Sequence, residues 1–108
     1  MQKSVHDFIN KYGLRTTPEA RYIDLVSEIG ELGKEILTAT KYGKTEFARA
    51  ANAETETEMG DCLFSLLALC AEMNINAEDA LQKVLAKYEV RFVKKGDIGS
   101  GDFRHDSQ

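Results

Sequence analysis

Two short acidic signatures, Glu28-Ile-Gly-Glu31 and Glu58-Met-Gly-Asp61, each lie inside an apolar stretch whose periodicity is helical. Acids three residues apart on a helix project from the same side of one turn. The chain must therefore build at least two helices and accommodate four carboxylates near the margin of its core. Two like charges about 4 Å apart at an effective dielectric near 20 repel by about 4 kcal/mol. Proton uptake, basic partners or a bound cation would each relieve that repulsion, and the fold must supply one of them.

The rest of the chain also reads as helix. Ser4, with Asp7 three residues on, predicts the capping box of a short first helix carrying Val5, Phe8, Ile9 and Tyr12 and stopped by Gly13. Thr17-Pro18-Glu19 is a helix start: a cap, a proline suited to the first turn, and an acid at the positive end of the dipole. The periodicity carries this helix to about Tyr42, with Gly43 ending it. Asp24, Glu28, Glu31 and Glu35 fall within an arc of about 60°. Ile23, Val26, Ile29, Gly33, Ile36 and Leu37 cover the other side. Gly30 and Gly33 each cost a helix about 1 kcal/mol against alanine, which predicts a partner helix or a ligand packed close to them.

Gly43-Lys44-Thr45 is a turn, and Thr45 is a candidate cap for an alanine-rich segment. A helix starting there, antiparallel to the last, would bring Glu31 and Glu58 level; a break at Asn52 would leave that to a longer loop. The central helix is expected from Ala53 to Met73. Glu54, Glu58, Asp61, Ser65 and Glu72 share one narrow arc of it, and apolar residues cover most of the rest. Such girth implies burial on several sides, which in a chain this short predicts a core completed by oligomerisation. Asn76, with Asp79, caps a last helix bearing Leu81, Val84, Leu85, Tyr88 and Phe92. Its Lys83, Lys87, Arg91 and Lys94 form a basic stripe within about 80°. The expectation is an all-α bundle of four to five helices, one domain over residues 1–101, with 102–108 a frayed tail.

Composition narrows the function. The 108 residues carry a net charge of −4, which argues against a general binder of nucleic-acid polymers. No apolar run is long enough to span a bilayer, and Met1–Tyr12 lacks the apolar core of a secretory signal. Cys62 and Cys70 sit about 12 Å apart on one helix, too far for a disulfide to each other. A cytoplasmic location is the default. His6 and His105 are far apart, no Cys or His pair has zinc spacing, and no Glu-x-x-His motif suits a di-iron bundle. An all-oxygen ligand set favours Mg²⁺ first and Mn²⁺ second. Mg²⁺ keeps open positions that phosphate oxygens fill. Carboxylates could then act as ligand and base, while Lys83, Lys87, Arg91 or Lys95 supply positive charge to a phosphate chain.

The segments Leu25-Val26-Ser27-Glu28-Ile29-Gly30-Glu31-Leu32 and Glu58-Met59-Gly60-Asp61-Cys62-Leu63-Phe64-Ser65-Leu66 resemble the MazG-like nucleoside triphosphate pyrophosphohydrolases, whose signature is E-E-x-x-E, a variable gap, then E-x-x-D. Asn76–Leu81 and Lys87–Phe92 look like that family's last core helix, so the resemblance covers about Ala20 to Phe92. It implies a helical bundle assembled as a homodimer or homotetramer. It also implies Mg²⁺-dependent cleavage of a nucleoside triphosphate between the α and β phosphates, giving a monophosphate and pyrophosphate, as in the house-cleaning of nucleotide pools. Glu28, Glu31, Glu58 and Asp61 would be the metal-ligating and catalytic residues by position, and Lys87 and Arg91 would contact substrate. One departure stands out: Ser27 occupies the position of the first Glu, so either that position is dispensable, or Asp24 or Glu35 substitutes, or activity is reduced. Two rival expectations remain: a phosphoribosyl-ATP pyrophosphatase, and a non-catalytic helical oligomer that binds nucleotide or protein.

Overall fold

A computed structural model describes residues 1–47 and 53–95. The alanine-rich residues 48–52, the Gly99-Ser100-Gly101 segment and the expected tail 102–108 lie outside the described residues, as does the side chain of Lys95. The described residues form helices α1 (Gln2–Lys11), α2 (Pro18–Ala39), α3 (Ala53–Glu72) and α4 (Ala77–Lys95), with no strand. The all-α expectation therefore holds. The chain divides into two units, Met1–Ile75 with α1 to α3, and Asn76 onward with α4.

Helix ends follow local chemistry closely at three places. The Thr17 side chain accepts from the Ala20 N–H at 3.2 Å, with Pro18 just inside the helix. Asn76 Oδ1 accepts from the Asp79 N–H at 2.9 Å and starts α4. Gly13 takes φ +62° after α1, and the Leu14 N–H returns to the Ile9 carbonyl at 2.9 Å, a left-handed stop that glycine adopts without a steric penalty.

Two boundaries differ from the sequence expectation. Ser4 is no cap: α1 begins at Gln2 with Met1 at the cap position, and Asp7 instead pairs with Lys3 at 2.8 Å, one turn back. The helix runs through Ser4, and the exposed Lys3–Asp7 pair lies one turn apart along it. At its far end α2 stops at Ala39 rather than Tyr42: Lys41, Tyr42 and Gly43 all have positive φ, and the Tyr42 N–H closes on the Leu37 carbonyl at 2.7 Å. Residues 45–47 are not helical, so no helix starts at Thr45. The rest of the connection between α2 and α3 lies outside the described residues.

Within the first unit, α2 and α3 pack together and α1 lies against α3. Arg21, near the start of α2, meets Glu72 at the end of α3, while Glu28 meets the first half of α3. The two helices are thus antiparallel. The join at the α3 end is electrostatic. The Glu72 side chain is only 2% exposed and accepts from Arg15 Nε at 3.1 Å, Arg21 Nε at 3.3 Å and the Thr16 N–H at 3.0 Å. Arg21 also donates to the Leu14 carbonyl. One carboxylate thereby ties the α1–α2 connection to the C-terminal turn of α3. Ile9, Leu67 and Ala68 are the buried apolar residues beside this join.

Much apolar surface stays open. Ile23 is 66% exposed, and Val26, Ile29 and Leu37 on α2 and Met59, Leu63 and Leu66 on α3 are also exposed. A Cβ added at Gly30, Gly33 or Gly60 would meet nothing within 4 Å. Among the described residues of this chain, nothing packs against the two α2 glycines.

Burial pushes the Glu72 carboxyl up, but the Thr16 N–H and the two arginines outweigh it and hold it below its ordinary value. Its contribution to stability is thus present above the unfolded-state value and lost as pH falls through the lowered folded value. Glu72→Gln is expected to cost about 2 kcal/mol at neutral pH, since a charged hydrogen-bond acceptor is lost while two arginines stay behind. The gap between wild type and variant should narrow on acidification. Urea titrations at pH 7 and in the acid range measure both effects.

Candidate metal centre

The acid turns meet where α2 crosses the first half of α3. Glu28, Glu58 and Asp61 each place a carboxylate oxygen within 4.8 Å of the others, Glu28 and Glu58 half-buried and Asp61 exposed. Glu58 and Asp61 are one turn apart on α3, and the antiparallel crossing brings Glu28 to them. Among the described residues none of these carboxylates forms an ion pair with Lys, Arg or His. Burial, then the charges of Asp61, Glu28, Glu31 and Glu35 in that order, push the Glu58 carboxyl above its ordinary value. Of the reliefs open to such a cluster, a basic partner is thus not supplied by the described side chains of its own unit, Met1–Ile75.

The other candidate residues divide. Glu31 is exposed and stands outside the group of three, although its charge reaches Glu58. Glu35 is half-buried and also reaches Glu58, whereas Asp24 is exposed and contributes to neither. Glu72 shares the acid arc in sequence, but its two arginines remove it from the cluster. On α4, Lys83, Lys87 and Arg91 are exposed, and Lys87 and Arg91 stand 5.7 and 5.6 Å from the Tyr88 ring centroid. Lys95 closes that helix.

Cys62 is half-buried next to the cluster, and burial, then Glu28, Glu58 and Asp61, raise its thiol above the ordinary value. Spacing alone could have signalled this, because Cys62 lies one turn, four residues, beyond Glu58.

The donor set fits a hard divalent cation. It is all oxygen, anionic, and offers three ligand atoms from two helices, leaving coordination positions for water and for a ligand's own oxygens. The family model of the MazG nucleotide pyrophosphohydrolase domain matches residues 16–94. The chain also resembles the uncharacterized protein YpjD of Bacillus subtilis (strain 168). It is 34% identical to YpjD over 76 residues, covering 69% of this chain and 67% of that protein. No solved structure gives a significant match. The chain belongs to the MazG nucleotide pyrophosphohydrolase family.

A raised Glu58 carboxyl holds its proton to higher pH than a free glutamate, and a cation must displace that proton. Mg²⁺ affinity is therefore expected to fall as pH drops through the Glu58 range, with proton release on binding. Calorimetric titration of Mg²⁺ in buffers of different ionisation enthalpy measures the released protons. Asp61→Asn should reduce both the affinity and the proton release.

Proposed function

We propose that this protein hydrolyses nucleoside or deoxynucleoside triphosphates between the α and β phosphates, with Mg²⁺, to a nucleoside monophosphate and pyrophosphate. The observation that carries the reading is the meeting of Glu28, Glu58 and Asp61 oxygens within 4.8 Å, with no cationic side chain paired to them among the described residues of their own unit. The family match over residues 16–94 supports the class of reaction.

In this reading Glu28, Glu58 and Asp61 hold Mg²⁺, with Mn²⁺ the alternative. Glu31 stands at the rim, where it can orient a water or complete the ligand set. When bound, the cation neutralises charge on the phosphate oxygens and acidifies water. A carboxylate not engaged as ligand accepts the proton of the attacking water, and Glu31 and Glu35 are the two whose charge is felt at Glu58. Lys83, Lys87, Arg91 and Lys95 are the proposed source of positive charge for the departing pyrophosphate. The bond broken joins the α-phosphorus to the bridging oxygen. The water oxygen stays on one product, and its proton leaves through the carboxylate.

The working form is proposed to be a homodimer or homotetramer in the cytoplasm, with residues 1–101 as its domain. The exposed Ile23, Val26, Met59 and Leu66 support this, since faces of that kind are commonly covered by a second chain. No helix among the described residues is long and apolar enough to cross a membrane.

A panel of NTPs, dNTPs and phosphoribosyl-ATP with Mg²⁺, read by product identification, tests the reading. Monophosphate plus pyrophosphate is the expected outcome, and turnover confined to phosphoribosyl-ATP would move the protein to that activity. Glu58→Gln and Asp61→Asn should each lower kcat by at least about 100-fold with helical circular dichroism unchanged. Full activity in both would remove the metal from the mechanism.

A further inference from the structure

A hydroxyl is buried in the middle of α3 without a partner. Ser65 is 8% exposed. Hydroxyls inside a helix commonly bond the carbonyl four residues back. Thr40 does so to Ile36 at 2.9 Å, and Thr57 to Ala53 at 3.2 Å. The Ser65 hydroxyl makes no hydrogen bond among the described residues. A buried polar group left in that state destabilises the fold, so its presence calls for a gain elsewhere.

The position of Ser65 shows where the hydroxyl is aimed. It lies seven residues beyond Glu58 and seven before Glu72, and seven residues bring a helix to within about 20° of whole turns. Glu58 meets Glu28, and Glu72 meets Arg21, both on α2. The line between them therefore runs along the seam with α2, and Ser65 is its midpoint. Side chains lean toward the N-terminus of their own helix. For Ser65 that is the direction of Asp61, one turn and about 6 Å back. Glu72, on the other side, already accepts from Arg15, Arg21 and the Thr16 N–H. The hydroxyl thus faces the inner side of the Glu28, Glu58 and Asp61 group, while Asp61 is exposed at the outer side.

We propose that Ser65 is a positioning residue of the metal centre, its hydroxyl holding the inner carboxylate oxygens through one ordered water in the geometry a cation requires. No direct bond joins Ser65 to these acids, which is why a water makes the link. The inference rests on the reading of the three acids as cation ligands and adds a residue behind them. A hydroxyl can donate and accept at once, and it brings no further negative charge to the group. Residues that orient ligands from behind commonly carry about 10-fold to 100-fold of a metal's affinity.

The test is made on the full-length protein, with calorimetric titration of Mg²⁺ and urea unfolding in EDTA. Ser65→Ala is expected to weaken Mg²⁺ binding about tenfold while its unfolding midpoint in EDTA is no lower than that of wild type. Ser65→Thr, which keeps the hydroxyl, should restore most of the affinity. A hydroxyl with a purely structural role would lower the unfolding midpoint and leave Mg²⁺ affinity untouched, and that result would overturn the proposal. So would wild-type Mg²⁺ affinity in Ser65→Ala at an unchanged midpoint. If Asp61→Asn still loses Mg²⁺ in the same experiments, the metal reading survives either result. Absence of Mg²⁺ binding by wild type would overturn both.

Discussion

The pairing of Arg21 with Glu72 fixes how α2 lies on α3, and the rest of the first unit depends on it. A helix slipped by one residue turns each side chain by about 100°. Such a slip would carry Glu28 away from Glu58 and Asp61. Repulsion among those carboxylates favours the slip, so something else must hold the register. The buried Glu72, with Arg15, Arg21 and the Thr16 N–H on it, supplies a directional anchor at the opposite end of the same hairpin. Attraction at one end of α3 thus stabilises a like-charge meeting at the other.

Glu58 and Glu72 make the contrast within one helix face. Both are glutamates on the acid arc of α3, about 40° apart around the axis. Burial and then neighbouring acids push Glu58 up, while the Thr16 N–H and two arginines outweigh burial and hold Glu72 down. Sequence periodicity placed them together but could not separate their fates, because the arginines come from 51 and 57 residues away. What was legible is local: the Thr17 and Asn76 caps, the Gly13 stop, and the span of α3 within one residue of its observed end. Ser4 misled because a cap signal is only a short-range pattern, and α1 already begins at Gln2. The early end of α2 was hidden because Lys41 and Tyr42 adopt left-handed backbone that their side chains do not advertise.

Serine at position 27 bears on how much of the acid signature the site needs. Around α2, Asp24, Glu28, Glu31 and Glu35 share one arc, and Ser27 falls beyond its edge, about 40° from Glu31 and about 100° from Glu28. The three-carboxylate group draws on α2 through Glu28, on the far side of the arc from Ser27. Glu31 is exposed and outside the group, and Ser27 is exposed as well. A second glutamate there would add negative charge beside a Glu58 already raised by four neighbouring carboxylates. Its absence lowers the electrostatic cost of assembling the hairpin without removing a member of the trio.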